Sequence, residues 1–227
     1  KDFDALVTTL NFGDPATVKA INNWCSEHTN GKITEIIDEL GRNVVMVLVN
    51  ALYFNAPWLN PFDEHMTFDA PFYGSVKESK VKMMSRKAYM NYAEYMGCQL
   101  VELPYEGGRY TMYVLLPPKD LDMNEVIGYL SEDAYKTALA SLQPTEVQLR
   151  MPKVKAESSL LLNDSLQKMG IRTAFSAAAD FSGIAEMGPL VLDQVRQKCY
   201  VEISEKGTEA AAVTSAQIRL TSARPYS

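Results

Sequence analysis

Residues able to do chemistry are sparse in this chain of 227 residues. It holds two histidines, His28 and His65, and three cysteines, Cys25, Cys98 and Cys199. Neither histidine belongs to an H-E-x-x-H metal motif, and no G-x-S-x-G elbow or Walker loop is present. Asp63-Glu64-His65 has metal-binding residue types, but such a cluster ordinarily solvates a turn. The odd cysteine count, without metal-like spacing, reads as separate thiols rather than a disulfide framework. Neither an enzyme's catalytic constellation nor a metal or cofactor site is therefore expected. Asn163-Asp164-Ser165 fits an N-glycosylation acceptor, and fits a helix cap better in its context.

The segment with functional content lies near the end. Glu205-Lys206-Gly207-Thr208-Glu209-Ala210-Ala211-Ala212-Val213-Thr214-Ser215-Ala216-Gln217-Ile218-Arg219 alternates with period two. Thr208, Ala210, Ala212, Thr214, Ala216 and Ile218 form one small, uncharged face; Glu209, Ala211, Val213, Ser215, Gln217 and Arg219 form a more polar one. The residues are nevertheless poor strand formers, lacking β-branched or aromatic bulk. Such a segment can sit outside as a loop and then enter a sheet with little steric resistance. Glu-Ala-Ala-Ala equally favours a helix, so the local reading leaves both open.

The elements that must position this segment are strand-dominated. Asp14-Pro15 opens a helix that runs to Asn30-Gly31, and Ile33–Leu40 reads as a short second helix. Val44–Phe54 is a continuous apolar run, suited to a strand buried on both faces. Strands are expected at Thr67–Phe72, Lys80–Met84, Tyr89–Tyr95, Cys98–Pro104 and Tyr110–Leu116, with Gly107-Gly108 as a turn. Helices at Met123–Leu130 and Glu132–Leu142 follow, then a strand over Glu146–Val154. Asn163 or Asp164 caps a helix through Met169, and Val191–Ser204 is a long strand. The class is α+β. Composition is 47% hydrophobic and 22% charged with net charge −6. That supports a sizeable core, without a basic block for nucleic acid or the roughly 20 apolar residues of a membrane span.

The ordered motifs resemble the serpins. Those stretches are Ile21-Asn22-Asn23-Trp24, Thr29-Asn30-Gly31-Lys32-Ile33, Leu48–Phe54 with Trp58 and Pro61-Phe62, and Val81-Lys82-Met83-Met84. Glu102-Leu103-Pro104-Tyr105, Met151-Pro152-Lys153, Met169-Gly170-Ile171 and Ala174-Phe175-Ser176 with Ala179–Ile184 continue the series up to the hinge-like Glu205–Ala212. The resemblance covers all 227 residues. It implies part of a single serpin domain: mixed sheets, surrounding helices and a mobile reactive-centre loop over about 207–227. It also implies that the domain extends before Lys1 and after Ser227, so other fragments of the same serpin are expected beside this one.

The resemblance further implies a suicide inhibitor. Its partner would be a serine, or alternatively a cysteine, endopeptidase trapped as a covalent acyl-enzyme. The hinge would be Gly207, Thr208, Glu209, Ala210, Ala211 and Ala212, inserting into the central sheet. Counting fourteen positions from Gly207, as in the family, puts the reactive bond at Thr221-Ser222, with Arg219 and Leu220 as displaced alternatives. Asn50, Trp58 and Gln197 mark the region where the sheet opens. Serpins often have His where Gln197 stands, bonded to the Asn matching Asn50, and Gln keeps donor and acceptor without a titrating group. The uncharged, proline-free inserting face favours an inhibitor, the alternative being a non-inhibitory serpin-fold binding or carrier protein. An extracellular or cell-envelope location follows from the family alone.

Overall fold

The computed structural model describes residues 8–41, 43–74, 77–183 and 190–220. In chain order the elements are α1 (Ala16–His28), β1 (Val44–Pro57), β2 (Phe68–Tyr73), β3 (Glu78–Tyr95), β4 (Cys98–Pro104) and β5 (Thr111–Leu116). There follow α2 (Met123–Tyr129), α3 (Glu132–Ala140), β6 (Gln143–Pro152), β7 (Val154–Leu161), α4 (Asn163–Lys168), β8 (Leu190–Ile203) and β9 (Gly207–Leu220). The α+β class stands. Two compact units are present. One takes the described residues up to Phe54, those of Ala156–Val201 and those from Ala210 onward; the other takes Asn55–Lys155 and Glu202–Glu209.

In the first unit the four strands run in the order β1-β9-β8-β7. Helix α1 buries Ile21 and Cys25, one turn apart, in a cluster with Ile33, Ile36, Ile37, Tyr200 and Ala211. Asp14 starts the helix through its carboxylate, which accepts from the Ala16 N–H at 2.8 Å. Asn30 and Gly31 stop it in left-handed backbone, φ 51° and 74°. The helix expected over Ile33–Leu40 is absent. Asn22 explains why: its Oδ1 accepts from the Ile36 and Ile37 N–H groups at 2.9 and 3.1 Å, and its Nδ2 donates to the Ile37 carbonyl at 2.7 Å. Backbone groups satisfied by a side chain have no need of a helical ladder, and the three isoleucines are pinned to α1 in an irregular segment.

The second unit is built on a five-stranded sheet, β2-β3-β4-β5 with β6 also paired to β3. Strand β3 is one 18-residue element, where the sequence reading gives two strands. The polar break at Ser85-Arg86-Lys87 is bridged because β6 pairs along it, Ser85 opposite Arg150 and Lys87 opposite Gln148. Lys87 also reaches Glu146 at 3.0 Å. Met96 and Gly97, both at positive φ, turn the chain from β3 into β4. Helix α3 covers the sheet with Ala138, which packs with Ala93 and Leu100.

Further departures concern β7 and α4. The single strand expected at Glu146–Val154 is two, broken at Lys153, whose N–H donates to the Lys82 carbonyl at 2.8 Å. Asn163 does not cap α4. Its Oδ1 accepts from the Val195 N–H at 2.9 Å and its Nδ2 donates to the Asp193 carbonyl at 2.8 Å, tying the helix start to β8. The same engagement occupies the nitrogen a glycan would need. All three cysteines are free thiols, and burial pushes that of Cys25 up to about 11.

Candidate functional site

The hinge begins with a turn. Strands β8 and β9 are neighbours joined by only Ser204, Glu205 and Lys206, and the Ser204 N–H donates to the Gly207 carbonyl at 2.9 Å. So short a link makes the pair an antiparallel hairpin. Gly207 is required by close approach rather than by an unusual dihedral. A Cβ there would lie 2.3 Å from the Ala56 carbonyl oxygen and 2.7 Å from the Pro57 Cα, both backbone atoms unable to move aside.

The turn is fixed by partners from distant parts of the sequence. The N–H groups of Trp58 and Phe62 donate to the carbonyls of Lys206 and Glu205, each at 2.9 Å. Trp58 Nε1 donates to the Ser204 carbonyl at 2.9 Å. Trp58 is buried and stacks on Tyr105 with ring centroids 4.5 Å apart and 12° between planes. Tyr105 in turn donates its hydroxyl to Thr208 Oγ1 at 2.7 Å, and both residues are buried.

Glu205 is the charged member. Its side chain is 7% exposed, its Oε2 lies 2.7 Å from Lys153 Nζ, and its Oε1 accepts from Thr67 Oγ1 at 2.8 Å. Burial works against the carboxylate, but hydrogen bonds from Lys153, its own backbone and Thr67 outweigh it, so the group titrates below its ordinary value of 4.5. Burial raises the Tyr105 phenol above its ordinary value, partly offset by the Thr208 hydrogen bond.

Beyond the hinge the segment is a strand lying between β1 and β8, neither a helix nor an external loop. At Thr208 and Glu209 the small uncharged face is the more buried one, but past Ala210 burial reverses that pattern. Ala211, Ser215 and Gln217 of the polar face are the buried ones, whereas Ala210, Thr214 and Ala216 are half-buried. The physical reason is the cover: Ala211 shares the cluster of α1 and its isoleucines. Ser215 Oγ is buried without a hydrogen-bond partner.

Gly207, Thr208 and Trp58 are thus brought together, with Glu209 half-buried in the same unit. Asn50 on β1 is exposed and Gln197 on β8 half-buried, with β9 running between the two strands. Arg219 and Leu220 belong to β9 by their backbone; their side chains and that of Ala212 lie outside the described residues, as do Thr221 and Ser222 entirely. Sequence reasoning placed Lys153, Tyr105 and Glu205 in motifs of the resemblance and Thr67 at the start of an expected strand, but gave none of the four a role in the site. The expected strands and motifs marked those stretches as structured, without saying which side chains meet. Among the described residues no group of three or more His, Cys, Asp or Glu could hold a metal, and no helix is long and apolar enough to cross a membrane.

A family model described as "Serpin (serine protease inhibitor)" matches residues 1–227. Intracellular coagulation inhibitor 2 of Tachypleus tridentatus is 37% identical over 207 residues, covering 89% of this chain and 51% of its own. Serpin B8 of Bos taurus is 38% identical over 227 residues, covering 95% and 60%. The chain therefore spans about half to three-fifths of these relatives' length. Among solved structures, the viral serpin CrmA matches with TM-score 0.86 and 31% identity, over 94% of this chain and 74% of that one. Reactive-loop-cleaved human thyroxine-binding globulin matches with TM-score 0.88 and 31% identity, over 94% and 64%. The extracellular placement gains no support here, since one relative is named an intracellular inhibitor.

Proposed function

The chain belongs to the serpin family, and from that premise we propose that its protein is a protease inhibitor working as a suicide substrate. The target protease's nucleophilic hydroxyl attacks the carbonyl of Thr221. The peptide bond to Ser222 breaks, the Ser222 amine leaves with a proton, and an ester joins loop and enzyme. The freed segment from Gly207 onward then enters the sheet between β1 and β8, an intramolecular strand addition. The inhibitor supplies a substrate bond and a conformational change, and the nucleophile is the protease's own.

One observation carries this reading: the sequence from Gly207 to Leu220 forms a strand between β1 and β8, continuous with the hinge turn. The small side chains along it make entry sterically cheap, and no proline removes a ladder donor. Names of the relatives that include "inhibitor" lend further support. Thr at the reactive position fits a protease with a small or shallow primary pocket, elastase- or subtilisin-like. Arg219 or Leu220 would bait trypsin-like or chymotrypsin-like enzymes.

The test uses the full-length protein with trypsin, elastase, subtilisin and chymotrypsin, read by denaturing gels and mass spectrometry. An SDS-stable complex with a released fragment beginning at Ser222 is the expected result. A fragment beginning at Leu220 or Thr221 keeps the mechanism and moves the bond. Clean cleavage without complex by every enzyme replaces inhibition with the serpin-fold binding or carrier role.

A further inference from the structure

We propose that Tyr105 is a positioning residue of the conformational change, its hydroxyl being the prepared donor that receives Thr208 as the strand seats. This rests on the inhibitory reading above. Four observations carry it. Thr208 directly follows Gly207, where backbone contact excludes any side chain, so Thr208 is the first side chain the entering strand must bury. It is 4% exposed, and its Oγ1 accepts from Tyr105 at 2.7 Å. The tyrosine ring is held by contacts that lie outside the strand: it stacks on the buried Trp58, the two residues form a β-bridge, and the Tyr105 N–H donates to the Tyr110 carbonyl at 3.1 Å. Trp58 itself holds the hinge turn through the Ser204 and Lys206 carbonyls.

A donor fixed in advance loses little entropy when its acceptor arrives, so the contact favours the seated strand over the uninserted loop. Insertion competes with hydrolysis of the acyl-enzyme. Slower seating therefore shows as more inhibitor consumed per protease trapped, and one buried neutral hydrogen bond corresponds to about a two- to tenfold change in that partition.

The experiment measures stoichiometry of inhibition and melting of full-length protein, wild type and variants, before and after reactive-loop cleavage. Tyr105→Phe and Thr208→Val are each expected to raise the stoichiometry about two- to tenfold. Thr208→Ser, which keeps the hydroxyl, is expected to match wild type, and the double variant to be no worse than the poorer single. Unchanged stoichiometry in both singles, Thr208→Ser as poor as Thr208→Val, or a double variant that multiplies the two effects would overturn the assignment. If wild type traps no protease, the inhibitory reading fails, and Tyr105 is judged on melting alone. Tyr105→Phe must then lower the midpoint of the cleaved form and leave the uncut form alone; any other pattern refutes it.

Discussion

At its start β9 is held by polar partners with defined directions. Glu205 is paired with Lys153 and Thr67, Thr208 accepts from Tyr105, and three backbone carbonyls of the turn accept from Trp58 and Phe62. Among the described side chains from Ala211 to Gln217 the buried ones are a methyl, a hydroxyl with no partner and an amide. The first region specifies one geometry and tolerates little change. The second is permissive, with side chains small enough to pack without defining what they pack against. A segment meant to stay anchored at one end and move along its length needs this division, because directional contacts fix position while small ones leave entry unobstructed.

The largest expected effect breaks the anchored end. Gly207→Val places branched carbon where the Ala56 carbonyl and Pro57 Cα already stand. The seated form should lose more than about 3 kcal/mol. Comparison of uncut and loop-cleaved melting checks this: cleavage should no longer raise the midpoint, whereas a rise like that of wild type would refute the steric argument.

Next in size is the ion pair. Lys153→Ala leaves the Glu205 carboxylate buried with only Thr67 and the backbone, at a cost of about 2 kcal/mol, moderated because Lys153 is itself 41% exposed. The pH dependence has a definite sign. Since the folded-state carboxyl titrates below 4.5, its contribution is complete above that value and is lost as pH falls through the lower folded value. Wild type should therefore lose stability on acidification below 4.5 more steeply than Glu205→Gln, measured by denaturant midpoints across that range. Parallel curves would contradict the assignment.

The smallest effect lies in the permissive region and has the opposite direction. Ser215→Ala removes a buried hydroxyl that has no partner, and should stabilise the seated strand by about 1 kcal/mol. The melting midpoint of the cleaved form should rise and that of the uncut form stay put. A fall would mean that the hydroxyl is satisfied when the strand is seated.

Much of the fold was legible locally. Cys98–Pro104 was bounded correctly because apolar and polar residues interleave along it, and α1 was placed by its Asp14-Pro15 start, its helical spacing and its Asn30-Gly31 stop. The helix expected at Ile33–Leu40 failed because Asn22, more than ten residues away, takes the backbone groups that helix would use. The two strands expected within Glu78–Tyr95 are one because β6, more than fifty residues later, pairs across the polar break. In the candidate site, Gly207 and the small residues after it announced themselves by type. Glu205, Lys153 and Tyr105 did not, since nothing in a charged or aromatic residue's neighbours says which partner will bury it.

The sequence by itself determined the family signatures, the uncharged and proline-free inserting face, and the substitution of Gln197 for a titrating histidine, because these depend on residue identity and order alone. The tertiary structure decided that Gly207–Leu220 lies between β1 and β8, that past Ala210 the face bearing Ala211, Ser215 and Gln217 is the more buried one, and that Glu205 is a buried ion-pair member. The reason is physical. Period-two alternation fixes which side chains share a face, but the element covering that face, drawn from elsewhere in the chain, decides which face is inside.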